Sequence, residues 1–145
     1  MAAQTILIAE DDPDIRDGVR ILLAGEGYHI LEAENGTRAL EIFNPEVDLV
    51  ILDIMMPGMS GLRVCEELRK EYKILRMLMQ NPERIFSVEM IYETVWGEPY
   101  YYTSNGTVMV HIRNLRTKIE ADPQNPKRVC TVWGKGYRFV NEEQV

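Results

Sequence analysis

The first half of the chain alternates short apolar runs with stretches of helical spacing. "TILIA" (5–9) ends abruptly in "EDDPD", where Asp12 followed by Pro13 reads as a helix start: a capping acceptor, then Pro at the first helical position. Ile15, Val19, Leu22 and Leu23 follow at helical spacing until "GEGY" stops the run. "YHILEA" (28–33) reads as a strand, "NGTRALEIF" (35–43) as a helix, and "VDLVILDI" (47–54) as a third strand, apolar on both faces. This order predicts a parallel sheet with right-handed crossovers.

The pattern then changes. "EELRKEYKILRMLMQ" (66–80) contains no Pro, Gly or turn cluster. Leu62, Cys65, Leu68, Tyr72, Leu75 and Met79 recur at steps of three and four, which predicts one apolar stripe on a continuous helix from about 60 to 81. Ser87 can cap a helix carrying Val88, Ile91 and Val95 that ends at Trp96-Gly97, and "EPYYYTSN" (98–105) reads as a loop. Val108, Ile112, Leu115 and Ile119 form the core stripe of a helix over about 105–120. Opposite it lie Val110, Asn114, Thr117 and Lys118, with Thr107 and His111 on one flank and Arg113 on the other. "RVCTVWGKGYRFV" (128–140) reads as two strands around a "GKG" tip.

Composition adds that this is a globular chain of 145 residues, enough for one domain or two very small ones. No apolar run approaches the ~20 residues that cross a bilayer, and no signal pattern opens the sequence, so the expectation is a cytoplasmic protein. Cys65 and Cys130 have no metal-ligand spacing and read as buried, reduced thiols. The net charge of −7 is unevenly spread. Residues 1–70 carry 6 Lys and Arg against 14 Asp and Glu, whereas 105–140 carries 7 against 2. A basic segment on an acidic chain points to nucleic acid.

Glu10, Asp11 and Asp12 close the first strand and Asp53 lies near the end of the third, where α/β sheets bind ligands if the two strands are neighbours. Packed carboxylates repel unless a cation joins them, and an all-oxygen set suits Mg²⁺. Read alone, "EDDPD" fits a solvated capping loop equally well; Asp53, at the end of an apolar strand, does not. The helix at 105–120 and the hairpin, each unremarkable alone, favour double-stranded DNA when taken together on the basic segment.

"ILIAEDDPDIRD", "ENGTRALE" and "DLVILDIMMPGMSG" closely resemble the receiver domains of two-component response regulators. "IYETVWGE" and "NGTVMVHIRNLRTKIEADPQNPKRVCTVWGKGYRF" resemble the winged-helix effector domain of OmpR/PhoB-type regulators, especially the vancomycin-resistance type. The resemblance implies an α/β partial receiver (a three-stranded parallel sheet in flavodoxin-like order) over 1–70, fused to a winged helix-turn-helix over 71–145. It implies that Asp53 is the phosphoacceptor for a sensor histidine kinase. Asp11, Asp53 and the Met55 carbonyl would hold Mg²⁺, with Glu10 acting through water. It implies DNA contacts by Trp96, Thr107, His111, Arg113, Arg116, Thr131 and Tyr137, with Lys135 at the wing tip. Asn114 and Lys118 belong to the same face. Asn114 stands where members often carry Arg; an Asn pairs with adenine rather than guanine, so no site sequence carries over. The 98–105 loop corresponds to one that contacts RNA polymerase, although its three tyrosines also fit packing.

The chain is short for that family. After "GLRVCEELRK", which matches the receiver's third helix, it passes at once into "EYKILRMLMQNPERIFS", which matches the effector's first. The second half of the receiver, with its Ser/Thr and Lys–Pro pair, and the effector's opening sheet have no counterpart. The third strand is therefore expected to be an apolar edge, covered by a homodimer or left in a loosely ordered module. Acceptance of phosphate is expected to be slow or absent. The leading reading is a DNA-binding transcriptional response regulator with impaired switching, and not an enzyme. The alternative is an interaction fragment that engages a kinase or full-length regulator without acting on DNA. A Mg²⁺-dependent phosphohydrolase is disfavoured, because no general base or phosphate-cradling loop is evident.

Overall fold

The computed structural model describes residues 2–141; residue 1 and residues 142–145, counted above in the two domains, lie outside the described residues. The chain divides into two compact units, 1–68 and 69–145.

In the first unit, β1 (Thr5–Ala9), β2 (His29–Ala33) and β3 (Val47–Leu52) form a parallel sheet in the order β2-β1-β3. Helices α1 (Pro13–Gly25) and α2 (Gly36–Ile42) make the crossovers. Asp12 caps α1 as its sequence suggests, its Oδ1 accepting from the Asp14 N–H at 2.9 Å and the Ile15 N–H at 3.3 Å. Asn35 caps α2 through the Arg38 N–H at 2.7 Å.

The register gives the two faces of the sheet different fates. Leu7 lies between Leu31 and Val50, and Ala9 between Ala33 and Leu52. Leu7, Ala9 and Ala33 are buried in a core with Ala39, Met56 and Val64. On the other face Ile6 and Ile8 are buried, yet their β3 neighbours Leu49 and Ile51 are exposed. Helix α1 packs against β1 and β2 but itself buries no residue, leaving Ile15, Ile21 and Leu22 in solvent. The edge position expected for β3 is observed.

Helix α3 (Gly61–Met79) runs through the unit boundary. Its inward positions are Gly61, Val64, Glu71, Ile74 and Leu78, with Leu68 partly buried, whereas Leu62, Tyr72 and Met79 are exposed. The stripe expected from the sequence is thus turned about one residue from the buried one. The reason is Glu71: a hydrophobicity count rejects a face that contains a carboxylate, but Glu71 is buried because the Lys118 ammonium pairs with it.

The second unit continues with α4 (Val88–Trp96), a short 3₁₀ turn (Tyr102–Ser104), α5 (Asn105–Ile119) and the antiparallel hairpin β4 (Val129–Val132) and β5 (Gly136–Phe139). Ser87 caps α4 through the Met90 N–H at 3.1 Å, and Gly97 ends it in the left-handed region at φ 70°. The core joins Ile74, Leu78, Phe86, Ile91, Val95, Val108, Ile112, Leu115, Val129, Tyr137 and Phe139. Burying each large aliphatic chain stabilises the fold by roughly 1.5–3 kcal/mol. Gly136, at φ 137°, lets the hairpin pair with Phe86; a Cβ there would lie 1.9 Å from the Phe86 carbonyl oxygen. Both cysteines are only partly buried, short of the burial expected of them. The Cys130 thiol donates to the Lys127 carbonyl at 3.5 Å, and burial, with Glu120 nearby, pushes its pKa up.

Candidate functional site

The β1 and β3 ladders each extend one residue past their strands. The Glu10 N–H donates to the Ala33 carbonyl at 3.1 Å, and the Asp53 N–H to the Ala9 carbonyl at 2.9 Å. This backbone registry, set by apolar strands, carries Glu10, Asp11 and Asp53 to one sheet end, where their carboxylate oxygens lie within 4.8 Å of one another. Partial burial pushes the Glu10 carboxyl above its ordinary pKa and repulsion from Asp53 and Asp11 adds to this, while a hydrogen bond from the Asp12 N–H opposes it. The Met55 N–H donates to Asp53 Oδ1 at 3.3 Å, and its side chain is exposed. Gly61 holds α3 against this loop: its N–H donates to the Ile54 carbonyl at 3.1 Å, and a Cβ on it would meet the Asp53 carbonyl oxygen at 2.2 Å. The donors are oxygen only, with charge to spare for a hard divalent cation.

The second site is a cleft of about 880 Å³ between the outward side of α5 and the hairpin. Gly106, Met109, Val110, Arg113 and Thr117 line it from the helix, and Thr131 and Trp133 from the hairpin. Thr107, Arg113, Thr131 and Lys135 are exposed and Asn114 is half-buried. The Thr117 hydroxyl donates to the Asn114 carbonyl at 2.6 Å.

Several residues read into the DNA surface also have partners within the unit. His111 is 6% exposed, with Nδ1 2.8 Å from the Thr107 carbonyl and its ring edge-on to Trp96 at 5.0 Å. Its neighbour Ile112 belongs to the core stripe, and one 100° step was too coarse to separate flank from interior. Trp96 is half-buried, stacked on Tyr92 at 5.1 Å, with Lys70 Nζ over its ring at 5.4 Å. Tyr137 is buried in the core. Lys118 is sequestered by Glu71. The Arg116 guanidinium is committed to β4, donating to the Val129 carbonyl at 3.0 and 2.8 Å and to Thr131 Oγ1 at 2.9 Å. Trp96, His111 and Lys118 brace α5 from within the unit, whereas Arg116 and Tyr137 join Thr131 in the wall of the cleft. Conversely, Gly106, Met109 and Trp133 escaped the sequence reading. Trp133 is 90% exposed, and the available signal was a bulky apolar residue next to a turn glycine, Gly134.

Two family models match the chain. Residues 6–85 match the family described as response regulator receiver domain, and residues 66–139 the family described as transcriptional regulatory protein, C terminal. The two matches overlap on α3 and the turn after it. A similar protein is the uncharacterized transcriptional regulatory protein YrkP of Bacillus subtilis, 34% identical over 227 residues, covering 94% of this chain and 98% of that protein. That alignment is longer than the 145 residues of this chain, so a long stretch of the relative has no counterpart here. The regulatory protein VanR of Enterococcus faecium is 44% identical over 69 residues, covering 48% of this chain and 30% of that protein. Among solved structures, the response regulator TrrA of Thermotoga maritima, in complex with Mg²⁺-BeF, is 49% identical over 49% of this chain, with a TM-score of 0.45. This chain covers 63% of that structure, under two thirds of its length. The chain therefore belongs to the OmpR/PhoB-type response regulators of two-component systems, transcriptional regulatory proteins in which a receiver domain is joined to a winged-helix DNA-binding domain.

Proposed function

We infer that this chain is an internally shortened response regulator whose working activity is binding double-stranded DNA through residues 71–145, while residues 1–70 keep a phosphoacceptor site without the parts that answer it. The observation that carries this reading is the cleft between α5 and the hairpin, lined by Arg113 and Thr131 on the most basic segment of the chain. Thr107, Arg113, Asn114, Thr131 and Lys135 make the contacts, with Arg116 and Tyr137 in the cleft wall beside them and Trp96, His111 and Lys118 supporting from behind. Arg113 and Lys135 supply most of the phosphate attraction, so the salt dependence of binding is shallow.

Asp53 is the residue offered to a sensor histidine kinase. Asp11 and Asp53, with the Met55 carbonyl, would hold Mg²⁺, and Glu10 would act through water; the oxygen-only cluster fits such an ion. The ion would supply charge neutralisation at the carboxylates. The protein acts in the cytoplasm. In the 98–105 loop, exposed Tyr101 and Tyr102 support contact with RNA polymerase, while Tyr100 packs edge-on to Tyr92 at 6.1 Å. The open β3 edge supports a homodimer.

The test is a titration of the whole protein against promoter-type direct-repeat DNA at several salt concentrations. Arg113→Ala should weaken binding about tenfold and lower the salt slope by about one. Binding indifferent to that change, or absent in the unaltered protein, would remove this reading.

A further inference from the structure

The outward side of α5 carries more apolar surface than its fold requires. The core stripe of Val108, Ile112 and Leu115 is complete, yet Met109 is 53% and Val110 44% exposed, both in the cleft beside Trp133. Single exposed apolar residues need no explanation, but three lining one concave surface do. Next to them is Gly106, in the first turn of α5. A Cβ on it would meet nothing within 4 Å and its φ is not positive, so neither packing nor backbone geometry within the protein asks for glycine. Glycine in a helix costs up to about 1 kcal/mol relative to alanine. An otherwise unrequired glycine beside an apolar patch on a groove-reading helix fits close approach of a ligand's backbone.

Resting on the reading of this unit as DNA-binding, we propose that Met109 and Val110 read the 5-methyl groups of thymines in the major groove, with Gly106 lowering the helix so that they reach the base edges. The chemistry is selective. In the major groove the thymine methyl is the apolar feature that distinguishes one base edge from the other three, and a Met or Val side chain has no hydrogen-bonding pattern to offer any of them. Arg113, one turn further on the same side, then sets register on phosphate or a guanine edge, while Met109 and Val110 discriminate by shape and desolvation. Met adapts to the exact position of the methyl through three rotatable bonds; Val, branched at Cβ, fixes it.

The experiment is selection of bound sites by the full chain from a randomised duplex pool, followed by resynthesis of the recovered site with deoxyuridine at each thymidine in turn. That exchange removes one methyl and leaves every hydrogen-bonding group unchanged. The expected result is thymine at one or two fixed positions, each losing about fourfold in affinity on replacement by uracil, the worth of one buried methyl. Met109→Ala and Val110→Ala should each abolish the thymine–uracil difference at one position, with unchanged near-ultraviolet circular dichroism as the control for folding. Gly106→Ala should leave the fold intact and weaken binding. Recovered sites without fixed thymines, uracil bound as well as thymine, or discrimination that survives both substitutions would each overturn the proposal while leaving DNA binding itself standing. Failure to recover any DNA at low salt would overturn both.

Discussion

Residues 1–68 and 69–145 each contain a core, but they close it to different degrees. In the second unit three helices and a hairpin seal the apolar interior, and the exposed apolar residues of α5 and the hairpin gather in one cleft. In the first, β1 is buried almost throughout, while α1 buries no residue and Leu49 and Ile51 stand in solvent. Yet the carboxylate cluster of this half-covered unit is assembled, because the strand ladder positions it and the helices over the open face do not. Chemistry held by backbone registry can outlast the packing around it; a response that depends on missing elements cannot.

The largest effect that would sharpen this contrast is expected at Gly136. Gly136→Ala drives a Cβ into the Phe86 carbonyl at a positive φ, and should cost about 3 kcal/mol or more, read as loss of the tryptophan near-ultraviolet signal and of DNA binding. Retention of both would mean the hairpin is less firmly tied to the core than described. Next comes the buried pair. Glu71→Gln should lower stability by about 3 kcal/mol in urea titration, and Glu71→Leu combined with Lys118→Met should recover most of it, because an apolar pair removes the uncompensated charge. Equal damage from both variants would argue that the charges themselves matter.

The first unit should be far less sensitive. Leu49→Ser with Ile51→Ser should change stability by no more than about 0.5 kcal/mol, while reducing self-association measured by light scattering after size exclusion. A rigid monomer in the unaltered protein would show that the open face needs no cover. The smallest signal is expected from acetyl phosphate with Mg²⁺: intact-mass analysis should find little or no phosphoryl addition, since residues 1–68 contain no lysine to neutralise the incoming group. Rapid stoichiometric addition at Asp53 would show that the cluster works alone.

These outcomes bear on what the sequence could reveal. Strands and caps were legible because they are local: Asp12-Pro13, Ser87 and the alternation of β1 need only their neighbours. The carboxylate cluster was legible because parallel pairing of β1 with β3 follows from the element order. The buried face of α3 was not. Its identity depends on Lys118, 47 residues away from Glu71, and no local period contains that information. The same holds for Arg116, which reads as a free cation beside Arg113 until β4 supplies the Val129 carbonyl. Trp133 was passed over for the opposite reason, since apolar residues are expected inside and this one stands at a turn in the open.

Strand β3 also makes abundance a property of the fold. Among the described residues, its outer side has no strand partner, and the one charged residue in "VDLVIL", Asp48, accepts a hydrogen bond from the Thr5 N–H at 2.8 Å on the side of β1. An open apolar edge is a template for another chain's edge. Encounters between two such edges rise with the square of protein concentration, whereas occupancy of a DNA site saturates. Were two such edges to pair, raising the dose would add regulation up to a point and only loss by aggregation beyond it, and the same six residues would set a ceiling on how much of this regulator a cell can usefully hold.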